Sequence, residues 1–404
     1  MPQRRETTRA TSAETVLAFA FDTAASGAGA FTATEAIDAT GLTRSTVLAA
    51  CTELARLGWL RDLDDARAAG EYRKGRPARR YELDARAGFV VGVDAGQHRV
   101  TALVADLRGR VLGRSEGTLG ESGLDVPVRL RTTAETIASA LAAAAVDPAR
   151  VLVTVVGIPA PVDAAGTSPD DGGFWDSMNP GFADVVPHGL VVVENDANAA
   201  ALAERPSSGD ASFAALLSGE RFGAGLVVDG VLLRGARGGA GELRVLDLVD
   251  GVSSSDGIGR TARTLVREAR AEGRVDAGSL LGGDEEPGAE AVFAAAALLD
   301  PVALEVVDRL GDRLARVCVL LASLLDIDRV VVAGAIADAA APVIERAREQ
   351  LATGGYDPTP EVVASRLGGD VVVLGAVTRA LDVVHADPLT FALPAARPSA
   401  ALPA

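Results

Sequence analysis

LVVVENDANAAALAE, running from Leu190 to Glu204, joins two kinds of structure at one point. Leu190 to Glu194 is a β-branched run closed by a carboxylate, which predicts a strand. From Asn195 to Glu204 the alanines and Leu202 predict a helix. Asn195 and Asp196 stand at the junction, so a side-chain amide and a carboxylate are presented at a strand edge. The simple reading of that pair is a helix cap, because Asn and Asp accept hydrogen bonds from the free N–H groups of a first turn. The other reading is ligand contact, in which the carboxylate accepts a hydroxyl or takes its proton.

Working outward, the pattern repeats. FVVGVDAG ends a buried strand in Asp94 and Gly96, Val100 to Val104 and Val111-Leu112 continue a meander, Pro127 to Val146 is helical, and Val151 to Ile158 is again strand. After the helix the pattern restarts, with strands at Ala214 to Leu217, Gly225 to Val228 and Val231 to Leu233, the last two joined by an Asp229-Gly230 turn. Helices follow at Gly259 to Glu272, Ala289 to Leu299 and Val302 to Leu325. A strand at Val330 to Val332, a helix at Pro342 to Leu351, a last strand at Val371 to Leu374 and a helix to about Val384 complete the series. Two successive α/β units of this kind place a cleft between them.

The N-terminal segment reads differently. ETVLAFAF sets Val16, Leu17 and Phe21 in one helical stripe; a short helix fits Thr34 to Ala39 with Thr34 as cap; Gly41 breaks it; Thr43 opens a third helix to about Leu57. Trp59-Leu60 begins an extended stretch, a charged loop follows, and Arg79 to Leu83 returns. Helices around a Gly turn followed by a hairpin with a basic loop make a winged helix-turn-helix pattern. Thr43, Arg44, Ser45 and Thr46 then begin the recognition helix. Arg73, Lys74, Arg76 and Arg79, with Arg80, form the wing, where Gly75-Arg76-Pro77 is slim enough for a minor groove. A small dimerisation domain with a solvated charged loop is the plainer alternative.

Composition first seems to oppose that reading. The 404 residues carry a net charge of -16, and polyanion-binding proteins are usually basic. The charge is uneven, however. Residues 1–84 hold twelve basic and twelve acidic side chains, so the rest of the chain carries the whole -16. Cys51 and Cys318 are too few for a disulfide scaffold, and with His98, His188 and His385 they make a poor zinc set. No apolar run reaches the roughly 18 residues of a membrane span, and no signal peptide precedes the first helix. A cytoplasmic protein without a membrane partner is expected.

These residues resemble the ROK family of repressors and sugar kinases on the duplicated actin-like, hexokinase-like (ribonuclease H-like) α/β fold. The resemblance rests on Val193 to Glu204, on Val156 to Asp163, on Gly223-Ala224-Gly225, Asp229-Gly230, Arg234-Gly235-Ala236 and Ala240-Gly241-Glu242-Leu243, and on Gly334 with Leu374-Gly375-Ala376. The N-terminal segment, including Gly75-Arg76-Pro77, looks like that of the family's transcriptional regulators. The layout implied is a disordered N-terminus at 1–12, a winged helix-turn-helix at 13–84, a ROK domain at 88–386 with lobes at about 88–196 and 197–386, and an Ala/Pro-rich tail at 387–404 that is expected to be disordered.

The resemblance implies that Asp196 is the general base of the family's kinases and that Glu242 accepts a sugar hydroxyl, so Asn195, Asp196 and Glu242 form the expected ligand set. It also exposes departures. Arg244 and Val245 replace the glycine and histidine of the family's Gly-Glu-x-Gly-His motif, and Leu246 to Gly259 lacks the cysteines of its zinc site. Asp94 and Gly96 keep part of the first phosphate loop. The second reads Gly219-Glu220-Arg221-Phe222-Gly223, where Glu220 repels phosphate and Arg221 and Phe222 add bulk, leaving Gly223 and Gly225 as vestiges. Trp175 and His188 fall where the family lines its sugar pocket. The expectation is a DNA-binding regulator, most simply a repressor and homodimer or tetramer on a double-stranded operator. It takes a sugar effector, carries no cofactor or metal, binds no ATP and is not an enzyme. The alternatives are a ROK sugar kinase with an appended DNA-binding domain and a regulator that answers to no sugar.

Overall fold

The computed structural model describes residues 11–63, 79–170, 172–186, 188–208, 212–282, 287–357 and 359–393. Its N-terminal unit is α1 (Ser12–Ala25), β1 (Ala30–Thr32), α2 (Ala33–Thr40), α3 (Arg44–Arg56), β2 (Leu60–Leu63) and β3 (Arg80–Leu83). Local chemistry sets each boundary. Thr11 and Glu14 form a reciprocal capping box on α1, and Gly41 ends α2 at φ 68°. The cap of α2 is Thr32, not the expected Thr34. Glu35 lies three residues after Thr32 and returns its bond: Thr32 N donates to Glu35 Oε2 at 2.6 Å, and Glu35 N donates to Thr32 Oγ1 at 3.3 Å. The strands pair antiparallel in the order β1-β3-β2, one strand more than the expected hairpin. Phe31, Trp59 and Tyr81 are buried beneath the helices.

The remainder holds two five-stranded sheets of the same plan. The first uses β4 (Phe89–Ala95), β5 (Arg99–Asp106), β6 (Val111–Thr118), α4 (Val126–Ala143), β7 (Val151–Ile158), α5 (Phe174–Met178) and β8 (Leu190–Asn195), in strand order β6-β5-β4-β7-β8. After α6 (Asp196–Ser208) the second uses β9 (Phe213–Ser218), β10 (Phe222–Val228), β11 (Val231–Leu233), α7 (Ile258–Ala271), α8 (Ala289–Ala297), α9 (Pro301–Leu325), β12 (Arg329–Ala333), α10 (Ala341–Thr353) and β13 (Glu361–Ala364), in order β11-β10-β9-β12-β13. In each, the first three strands are antiparallel and the last two parallel. Parallel neighbours need a crossover, which α4 and α10 supply.

The expected last strand at Val371 to Leu374 is instead the start of α11 (Val371–Ala386). Val371, Val372, Val373 and Val377 are all buried, so this helix is apolar on several sides and its first turn has the composition of a core strand. α11 leaves the second sheet and packs on β4 and β7 of the first, with α6 against its other side. Three small residues set that spacing. A Cβ at Gly92 would lie 2.6 Å from the Val373 carbonyl oxygen, one at Gly375 would fall on the carbonyl of Ala199, and one at Gly225 on that of Ala197. Backbone therefore meets backbone from β4 through α11 and α6 to β10, and the gap between the sheets is fixed.

Beyond α11 the tail departs from expectation. Leu389, Phe391 and Leu393 pack against the core shared by the N-terminal unit and α11, and the His385 ring lies 4.0 Å from that of Phe21. Of this tail, 394–404 fall outside the described residues. Among the described residues no helix is long and apolar enough to cross a membrane.

Candidate functional site

Between the two sheets opens a cleft of about 900 Å³, floored by the ends of β4, β8 and β10 and by the first turn of α6. It gathers Asp94, Gly96, Asn195, Asp196, Gly223 and Glu242 from both halves of the chain. Gly225 is not at its surface; it serves the contact of β10 with α6.

Asn195 is buried and its amide is committed. Nδ2 donates to the Ala160 carbonyl at 3.1 Å, and Oδ1 accepts from Asn198 N at 3.0 Å, the bond of a helix cap. The helix starts at Asp196, one residue later than expected. Asp196 is thereby held at the opening of α6, where Oδ1 accepts from Ala197 N at 2.7 Å. Burial lifts its pKa to about 8, and the neighbouring charges of Asp94 and Glu242 push the same way. Burial also raises Asp94 to about 6, against the opposing pull of Arg99 and Arg129. Glu242 is raised by burial, with Arg244 and Arg221 opposing. Three half-buried carboxyl groups thus line one cleft, a setting that suits hydroxyl recognition and proton transfer.

Several supporting groups gave no clear signal in the sequence. Arg129 of α4 is fully buried, and its guanidinium grips the carbonyls of Ala95 and Gly96, fixing the loop that follows Asp94. Glu194 is 2% exposed and accepts from Arg234 Nη2 at 2.6 Å and Asn198 Nδ2 at 3.0 Å, with Arg379 Nε at 3.5 Å. It ties the first sheet to the second half and to α11, one residue before the cleft. Arg244, which fills a glycine position of the resembling motif, stacks on Trp175 at 4.3 Å across the cleft. Trp175 lines the cleft as expected; His188 does not.

The second loop is less hostile to phosphate than its composition suggests. Glu220 accepts from Arg263 Nη2 at 2.6 Å and 2.7 Å, so its charge is answered locally. Phe222 turns into the core, where Arg313 covers its ring at 5.1 Å, and Arg221 is held to the Ser255 hydroxyl. The turn after Glu242 offers no thiolates. Leu243 and Leu246 anchor it in the core, and Val245 is exposed where the resembling motif has histidine. The residues present do not fit a structural zinc, and among the described residues no three His, Cys, Asp or Glu side chains are grouped to hold a metal ion.

In the N-terminal unit the start of α3 faces solvent. Thr43, Arg44 and Ser45 are exposed and Thr46 half-buried. The Thr43 hydroxyl caps the helix, accepting from Thr46 N at 3.3 Å and lying 3.1 Å from Ser45 Oγ. Arg79 is exposed and faces Asp62 at 3.6 Å. Arg73, Lys74 and Arg76 lie outside the described residues.

A duplicated mixed-sheet α/β fold with convergent carboxyl groups in its cleft defines a sugar-kinase-like class. The ROK family model matches residues 90–383, and the chain belongs to the ROK family. The bifunctional enzyme NanE/NanK of Brucella suis is 31% identical over 222 residues, covering 51% of this chain and 40% of that protein, so the match spans less than half of the relative. A ROK family glucokinase from Streptomyces griseus, solved with glucose and AMPPNP, is 26% identical at TM-score 0.58 and covers 73% of this chain and 100% of the enzyme. A ROK family transcriptional regulator, a homolog of the E. coli MLC protein, shares the fold at TM-score 0.67 and 20% identity over 91% of this chain and 96% of its own. The expectation that the chain is not an enzyme is corrected here. Its relatives are mostly sugar kinases, also including a hexokinase of Thermus thermophilus at 27% identity, and Glu220, expected to repel phosphate, is paired with Arg263.

Proposed function

We propose that this chain is a cytoplasmic DNA-binding transcriptional regulator of the ROK family that binds a sugar or related polyol in its interlobe cleft and acts as a repressor in homodimeric or tetrameric form. The observation that carries the reading is the N-terminal unit. It lies before the stretch matched by the family model, it has three helices and a three-stranded sheet, and its α3 presents Thr43, Arg44 and Ser45 to solvent. The fold likeness to a regulator extends over 91% of the chain, whereas that to the glucokinase covers 73%. In this reading α3 enters a major groove and the wing residues Arg73, Lys74, Arg76 and Arg79 hold phosphates, with a second copy supplying the other half-site. In the cleft, Asp196 and Glu242 accept sugar hydroxyls, and the ligand acts by favouring one arrangement of the N-terminal units over another. Selection of genomic fragments on the purified full chain tests it. Enrichment that Arg44→Ala lowers supports the reading, and no enrichment above background overturns it.

A second reading has its own support: the chain phosphorylates the sugar it binds. Asp196 sits at the opening of α6 with a raised pKa, and its unprotonated form is a base for a sugar hydroxyl attacking phosphate. Incubation with ATP, magnesium and a hexose panel decides it. Steady formation of sugar phosphate, abolished in Asp196→Asn, establishes a kinase that carries a DNA-binding unit.

A further inference from the structure

A second pocket, of about 400 Å³, lies in the first half of the chain away from the cleft. Its position follows from the sheet. β7 and β8 run parallel, with Ile158 and Asn195 paired at the end that floors the cleft. Pro148 and His188 precede the two strands, so they mark the opposite end, and both line this pocket. One wall is α4, where Ala134 and Ala138 stand four residues apart with Ile137 between them; the other is the sheet, through Val151 and Thr154. Ala134 is half-buried and Ala138 exposed, so the pocket runs along the flank of α4 and opens to solvent there.

Thr154 carries the argument. It is 1% exposed, it lines the pocket, and its hydroxyl has no hydrogen-bond partner. A buried hydroxyl nearly always has a partner, and one left without it is stabilised by any group that supplies the missing bond. An apolar slot with one unsatisfied polar group has the make-up of a small-molecule site, and its volume falls within the usual range for such sites. Among the described lining residues only His188 has an ionisable side chain, and it is exposed, so no buried charge in the pocket answers a ligand charge.

The geometry points to a binding site for an uncharged, largely apolar small molecule bearing one hydroxyl or carbonyl group, inserted between α4 and β7 with that group on the Thr154 hydroxyl. The site is separate from the sugar cleft and does not depend on the reading of the cleft.

Benzyl alcohol and toluene are the probes, titrated against the full chain by ligand-observed NMR. Saturable binding of both is expected. Ala138→Phe, on the exposed side of α4, fills the slot and removes both signals. Thr154→Val keeps the shape and the fold, because the hydroxyl it deletes makes no bond. It weakens benzyl alcohol by roughly fivefold, the value of one ordinary hydrogen bond, and leaves toluene unchanged. Non-saturable signals, binding that survives Ala138→Phe, or equal weakening of both probes by Thr154→Val each overturn the proposal.

Discussion

The cleft and the tip of α3 stand in contrast. In the cleft, Asp94, Asp196 and Glu242 are half-buried, their pKa values are raised, and buried partners such as Arg129 and Glu194 hold the surrounding structure. At the tip of α3, Arg44 and Ser45 lie in solvent, and only the Thr43 cap orders them. Under the proposed function, the difference is one of ligand size and charge: a small neutral polyol is recognised by groups partly desolvated in advance, whereas a polyanion brings its own field and is met by exposed donors.

The sharpest way to break the contrast is Asp196→Asn. If the chain transfers phosphate, kcat/KM should fall by about 10²–10⁴-fold, with DNA affinity unchanged. For the unaltered protein kcat/KM should rise with pH towards a plateau above about 8, since the base is the unprotonated carboxylate. Stability has the opposite sign. A carboxyl whose constant is raised on folding stabilises fully below its unfolded value of 3.8, and that contribution is lost as pH climbs through about 8. Asp196→Asn should therefore raise the melting temperature more at pH 8.5 than at pH 5. A parallel shift at both would show that Asp196 is not buried in this way.

Reversing the charge at the other region, with Arg44→Glu, should weaken operator binding by about 10–100-fold while sugar-induced thermal shifts persist. This is a cleaner test than deleting residues 1–84, because that unit shares one core with α11, against which Leu389 and Phe391 pack, and deletion would open it. Glu194→Gln should cost about 2–3 kcal/mol in urea unfolding, since Arg234 and Arg379 lose a buried partner. It should also loosen sugar binding, because Glu194 immediately precedes Asn195. The smallest effect is expected from a zinc chelator. The turn at Leu243–Leu248 is held by leucines, so the melting temperature should not move; a fall would reveal a metal ligand set elsewhere.

Much of this was legible in sequence because it rests on local rules. The junction at Asn195, the Asp229-Gly230 turn, the Gly41 break and the Thr43 cap are short-range, and their residue types permit few alternatives. What escaped depends on distant partners. Glu220 reads as a repulsive charge until Arg263 is seen beside it, and Phe222 reads as an obstruction until the core receives it. The valines of α11 imitate a strand because a helix enclosed on several sides loses its polar stripe. The tail, read from its alanines and prolines, hides three apolar residues that find a seat only in the folded chain.

α11 acts as a lever. Its first residues, Val371 and Val372, form part of the cleft wall, and near its far end His385 lies on Phe21 of the N-terminal unit. Sixteen residues of helix make a rod about 24 Å long, so a tilt of roughly 5° about one end displaces the other by about 2 Å. With Gly375 against Ala199 on one side and Gly92 against Val373 on the other, the rod has little room to bend and must move as a whole. The N-terminal unit is therefore not a tethered passenger. One rigid element borders the cleft at one end and seats the N-terminal unit at the other.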